Sequence, residues 1–270
     1  MKNLPRGHLP RALSLPGLVA VALATAAALA AAVPAWAASG TSASTVFCGD
    51  YQHVTVTSTS GTQFLVKNDN YGGYRECLAN RDQRPNFKIT TSGVTGAHTK
   101  PQAYPFVFLG CSWGTCAPGS TLPRKLSALR RPAATWQTSQ TAKGTWNAAF
   151  DLWFGKHSMI TGQANAEVMI WLGERNIPVP AHARIVSVDN ARWYLVHMRA
   201  CYKSRCWTYV QFRRVRPTLG VKGLRLSPFI TRAEARGWIK PSWWMENIEA
   251  GFEVWRGGTG LATTSFSARA

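Results

Sequence analysis

The chain has 270 residues and carries 31 Lys and Arg against 12 Asp and Glu, a net charge of +19. Its histidines are scattered without ligand spacing and no C-x-x-C pair occurs, so neither a metal centre nor another cofactor is expected. There is no G-x-S-x-G elbow for serine-type hydrolysis and no glycine-rich phosphate loop.

Residues 1–37 read as a secretory leader. Lys2, Arg6 and Arg11 precede an apolar, alanine-rich run from Leu18 to Val33, and Ala35-Trp36-Ala37 fits a small-x-small cleavage site. The run is shorter than a membrane span. A secreted, extracellular domain over residues 38–270 is expected. After a Ser/Thr-rich lead, His53–Thr59 and Gln63–Asn68 read as strands joined at Ser60-Gly61, and Asn70–Tyr74 as a turn. Phe87–Val94 and Tyr104–Gly110 continue the strand pattern, followed by Thr145–Phe154 and Glu167–Leu172. Arg184–Met198 predicts a hairpin turning near Asp189-Asn190, and Trp207–Val215 a long strand. The single predicted helix is Thr231–Ile239, with a capping box at Thr231-x-x-Glu234 and a stop at Gly237. Gly251–Trp255 and a last strand near the C-terminus complete the series. Many short strands, Gly/Pro-rich turns and one helix predict an all-β jelly-roll sandwich of two antiparallel sheets.

An even number of cysteines in an exported chain predicts disulfides. Proximity favours Cys111–Cys116 and Cys201–Cys206, leaving Cys48–Cys77. The positive charge has two readings: attraction to anionic cell-wall or surface polymers, or solvation alone. The densest basic run, Phe212–Arg216, is too short for a nucleic-acid signature, and no specific nucleic-acid partner is expected.

Three strands carry the chemistry. Side chains alternate across a strand. Glu167, Met169 and Trp171 therefore share one face, opposite Val168, Ile170 and Leu172. In the same way Glu253 joins Trp255, and Asp151 joins Trp153. One such strand would be an ordinary amphipathic strand with its charge in water. Three in a chain so poor in acids point to one acidic cleft, where carboxyls act on a glycosidic bond and flat rings hold sugars.

These segments resemble glycoside hydrolase family 12, the small secreted endo-β-1,4-glucanases. Glu167–Gly173 (EVMIWLG) is similar to the nucleophile strand, Gly251–Trp255 (GFEVW) to the acid/base strand and Phe150–Phe154 (FDLWF) to the Tyr-Asp-Leu-Phe strand. Asn68–Gly72 resembles the Asn-Asn-x-Trp-Gly segment, and Gly110–Cys116 a disulfide-clipped turn of bacterial members. The resemblance implies a concave cleft, Glu167 as nucleophile and Glu253 as acid/base in a retaining mechanism, with β-glucan as substrate and a monomer as the working unit. It implies that Asp151 supports Glu167, that Met169 packs beneath the reacting sugar, and that Tyr71 (where the family usually has tryptophan), Trp113 and Trp171 are sugar platforms. It adds Asn68 and Asn70 as partners of sugar hydroxyls. Ala166, the Pro178–Arg184 loop and the arginine-bearing Val210–Val215 strand depart from the family pattern and leave the polymer open. The alternatives are a xyloglucan- or xylan-active relative, or a non-catalytic cationic glycan-binding protein.

Overall fold

The computed structural model describes residues 44–141 and 143–270. The leader expected at residues 1–37 lies outside them. The alternating segments form β1 (Ser44–Phe47), β2 (His53–Thr57), β3 (Gln63–Lys67), β4 (Glu76–Arg81), β5 (Phe87–Ser92), β6 (Phe106–Ser112), β7 (Thr115–Cys116), β8 (Arg124–Lys125), β9 (Ala133–Ser139), β10 (Thr145–Gly155) and β11 (Ala166–Arg175). There follow β12 (Arg184–Val188), β13 (Ala191–Tyr202), β14 (Arg205–Arg214), β15 (Gly220–Arg225), helix α1 (Ser227–Glu234), β16 (Trp244–Met245), β17 (Asn247–Gly251), β18 (Val254–Arg256) and β19 (Ala262–Arg269).

Two sheets result. One runs β1-β4-β5-β19-β9-β15, the other β12-β13-β14-β11-β10-β17-β6-β3-β2. Long alternating strands need a partner layer for their apolar faces, and the sandwich supplies it. Phe150, Leu152 and Phe154 of β10 and Val168, Ile170 and Leu172 of β11 enter a single core between the sheets. Trp136, wholly buried, packs its indole on Phe150 and Phe252 with centroids 5.2 and 5.7 Å away. The opposite face of the larger sheet is the concave one, and it carries the acids.

Three expectations are corrected. The sheets are antiparallel with one exception: β11 and β14 run parallel, Glu167 opposite Tyr209 and Met169 opposite Gln211. Parallel neighbours need a long crossover, here the whole β12–β13 hairpin. Second, α1 ends where a helix was expected to begin. Pro228 fits its first turn, where a missing N–H costs nothing, so Thr231 sits inside the helix and forms no capping box. Gly237 does end it. At φ +71°, it donates to Glu234 O while Trp238 donates to Ala233 O, a Schellman closure. Third, Gly251–Trp255 is not one strand. A Cβ at Gly251 would collide with the Pro105 carbonyl, so only glycine lets β17 pass so close to that chain. The ladder then breaks at Phe252–Glu253 before β18. The alternation survives the break: Phe252 and Val254 are buried, Glu253 and Trp255 half-buried.

The hairpin at Asp189-Asn190 is as expected. Both residues are left-handed, φ +45° and +59°, which suits the twist of β12 and β13. The disulfides are Cys48–Cys77, Cys111–Cys116 and Cys201–Cys206. Cys48–Cys77 closes 29 residues of chain, the other two only 5 each. Chain entropy then gives about 3.5 kcal/mol for the first and about 2 kcal/mol for each clip. Urea denaturation of Cys48→Ala/Cys77→Ala should show the larger loss, and a smaller loss than for Cys111→Ala/Cys116→Ala would contradict that ranking.

Candidate active site

Strand register brings the acids together. On the concave face one row runs Gln211, Met169, Asp151, Glu249, Phe108, Leu65 across β14, β11, β10, β17, β6 and β3. The next row holds Tyr209, Glu167 and Trp153. Glu253 enters from the break after β17. Its peptide is held from both sides by Asn147: Asn147 N–H donates to Glu253 O at 3.0 Å, and Glu253 N–H donates to Asn147 Oδ1 at 3.1 Å. Asn147 Nδ2 donates to the Glu253 carboxylate as well. The Glu167 carboxylate accepts the indole N–H of Trp207. Each glutamate therefore has one fixed N–H donor, supplied by a neighbouring strand.

Burial governs their titration. It pushes Glu167 up to about 8, with the Glu253 charge adding to the rise and the Trp207 bond opposing it. It pushes Glu253 up to about 7, opposed by Asn147. Asp151 is raised by burial, then by the charges of Glu167, Glu249 and Glu253. Glu249 is raised by burial and drawn down by Lys67. Carboxyls crowded on one largely buried face cannot all ionise. The Glu253 charge makes Glu167 hold its proton more tightly than burial alone would.

Aromatic rings flank the acids. Trp113 is 41% exposed, the most open indole of the face, and its ring lies 5.4 Å from Trp153, which lies 5.6 Å from Trp207. This line of indoles ends at Glu167. Half-buried Tyr71 is raised in pKa by burial and then by the Glu253 charge, and it packs on the cluster of Leu65, Tyr104, Phe106 and Phe108 beside that face. Trp171 is on the expected face but only 4% exposed, covered by Trp255 with ring centroids 6.2 Å apart and by the Arg213 guanidinium. Arg213 is itself buried and bound to Glu174 at 3.0 Å. The Met169 sulfur accepts Tyr209 O–H at 3.4 Å and Trp171 N–H at 3.5 Å, so this buried thioether orients two rings.

Asn68 and Asn70 do not reach the cleft. Both are buried. Asn68 Nδ2 donates to Gly49 O and Glu76 O, while Asn70 Nδ2 donates to Asp50 at 2.7 Å and to Tyr74 O. Four residues at the acids were not picked out from sequence: Asn147, Trp207, Tyr209 and Glu249. Asn147 shares its parity along β10 with Asp151, a usable signal. Trp207 and Tyr209 meet Glu167 only through the parallel pairing of β14 with β11, which no local pattern announces.

The sequence model described as Glycosyl hydrolase family 12 matches residues 65–270, most of the chain. The chain belongs to glycosyl hydrolase family 12. It is a glycosidase. An endoglucanase of family 12 derived from a metagenome is 32% identical, with a TM-score of 0.72 over 84% of this chain and 97% of its own. Endoglucanase cel12A from Rhodothermus marinus is 33% identical, with a TM-score of 0.73 over 83% of this chain and 97% of its own. The "Probable cellulase Cel12b" of Mycobacterium tuberculosis (strain ATCC 25618 / H37Rv) is 22% identical over 152 residues, 56% of this chain and 98% of its own length. The family 12 match spans both glutamates and the strands that carry them.

Proposed function

We propose that this family 12 glycosidase is an exported, retaining endo-β-1,4-glucanase that cleaves internal bonds of linear β-glucans. The observation that carries the proposal is the pairing of Glu167 and Glu253. They come from distant parts of the chain and share one face, the Glu253 charge raises Glu167, and each holds one separate N–H donor. Double displacement needs those conditions. Glu167 attacks the anomeric carbon as a carboxylate while Glu253 gives its proton to the departing glycosidic oxygen. Glu253 then takes a proton from water as that water breaks the glycosyl-enzyme ester. The scheme requires the proton to reside on Glu253 when a chain is bound. That reverses the order of the free protein, where Glu167, raised to about 8, holds its proton to higher pH than Glu253, raised to about 7, and each carboxylate has one N–H donor. Seating a sugar between the two has to supply the difference.

Asp151 and Glu249 lie in the row beside Glu167 and are held protonated by burial, so they add no charge to the cleft when Glu167 acts. Trp113, Trp153 and Tyr71 offer flat faces for successive pyranose rings. The row of acids and rings runs across several strands, which supports attack within a polymer. Three disulfides accord with an oxidising compartment. Proton NMR of the first turnovers on a soluble linear β-glucan decides the stereochemistry. The β-anomer should appear first and mutarotate afterwards, and initial release of the α-anomer would exclude double displacement.

A further inference from the structure

The turn that joins β13 to β14 reaches across the cleft. In the larger sheet β13 and β3 are separated by five strands, which in a flat sheet means roughly 30 Å. Yet the Tyr202 ring, at the end of β13, lies 5.1 Å from the ammonium of Lys100. Lys100 belongs to the far wall. Its carbonyl accepts from the Gln102 side chain at 3.0 Å, Gln102 O accepts Tyr71 N–H, and Gln102 N–H donates to Val254 O, the neighbour of Glu253. Tyr202 is also within electrostatic reach of Tyr51, which is bonded to Asn68 beside β3. At its near end the same hairpin is fixed by Trp207 on Glu167, by Arg205 donating to Gly162 O at 3.0 Å, and by Gln163 donating to Cys206 O.

The tip therefore runs from the side of one glutamate to the side of the other. The Cys201–Cys206 bridge closes its base and makes it a rigid unit. Lys100 and Lys203 both lie against the Tyr202 ring, at 5.1 and 5.5 Å, and among the described residues neither forms an ion pair with a carboxylate. A cation–π contact between exposed groups is weak, so this attachment can open and re-form.

We propose that the Cys201–Cys206 tip is a strap over the cleft, latched by Tyr202 on Lys100, that selects unbranched glucan chains and rejects chains bearing sugar branches. This rests on the endoglucanase reading and adds its specificity. An unbranched β-1,4 chain is a flat ribbon that lies beneath a crossbeam, whereas a side-chain sugar on the exposed edge of a glucose meets it.

The test compares kcat/KM on an unbranched mixed-linkage β-glucan with kcat/KM on a xylose-branched β-1,4-glucan, for wild type, Lys100→Ala, Tyr202→Ala and Lys100→Arg. Wild type should prefer the unbranched chain. Each alanine variant should narrow that preference at least fivefold, by gaining rate on the branched polymer, and Lys100→Arg should restore it. An unchanged ratio in both alanine variants overturns the strap. Turnover of neither polymer by wild type defeats the endoglucanase reading instead, and a second readout then tests the strap. Trypsin cuts after Lys203 or Arg205 give a nicked chain, held by Cys201–Cys206, that separates only on reduction. Lys100→Ala should be nicked at least threefold faster than wild type, and equal rates overturn the latch.

Discussion

Glu167→Gly is expected to lose on the order of 10⁴-fold in kcat/KM on linear β-glucan, and added azide should restore turnover by occupying the vacated space. The rescued product should be a glycosyl azide of inverted anomeric configuration, since one displacement replaces two. Glu253→Ala should behave differently. Removal of a general acid costs about 10²–10⁴-fold. The loss should shrink on aryl glycosides, whose leaving groups depart without a proton, and azide should give the product of retained configuration. The two outcomes separate the roles of residues that share one face. An azide product of the same configuration from both variants would defeat the assignment, as would a Glu167→Gly enzyme within tenfold of wild type.

Glu76→Gln should stabilise the protein at pH 8 and leave it almost unchanged at pH 5. Glu76 is wholly buried, and neither of its carboxyl oxygens has a hydrogen-bond partner. Burial pushes it up to about 8, with the charges of Asp69 and Asp50 adding to the rise. An acid raised in the folded state is bound to its proton more tightly there than in the unfolded chain. Its contribution to stability is full below about pH 4.5 and is lost as pH climbs through 8. The shift from 4.5 to about 8 sets a ceiling of about 4 kcal/mol on the gain at pH 8. Glutamine keeps the shape and cannot ionise. Paired urea titrations at the two pH values read the difference directly, and the general effect of the positive surface cancels between the two proteins. A gain of equal size at both pH values would show that Glu76 does not titrate across this range. Glu246, raised to about 7 by burial, acts in the same direction. The fold as a whole should favour mildly acid conditions.

The strands and the acid-bearing faces were legible because alternation is local. Each of β10 and β11 announces by parity which side is core, and the structure keeps those sides apart in separate clusters. The Asp189-Asn190 turn was legible for the same reason, since left-handed turn residues declare themselves in a dipeptide. The helix start failed because two start signals lie within four residues, and Pro228 outranks Thr231. The exposure of Trp171, Asn68 and Asn70 was not legible either. A face is set by parity, but its depth below the surface depends on what other segments lay upon it: Trp255 and Arg213 over the indole, and the chain around Gly49, Asp50 and Tyr74 about the amides. The partners of Glu167 on β14 needed the topology itself.

That topology has an evolutionary corollary. Because β14 returns alongside β11 in the same direction, residues 176–204 leave the Glu167 strand and come back to it as a detour. Lengthening, shortening or re-clipping that detour reshapes one wall of the cleft while Glu167 keeps its place on β11. Under the proposed roles, the acids that would break the bond and most of the strap that would screen chains lie on separable stretches, and a lineage built on this scaffold could revise the second without rebuilding the first.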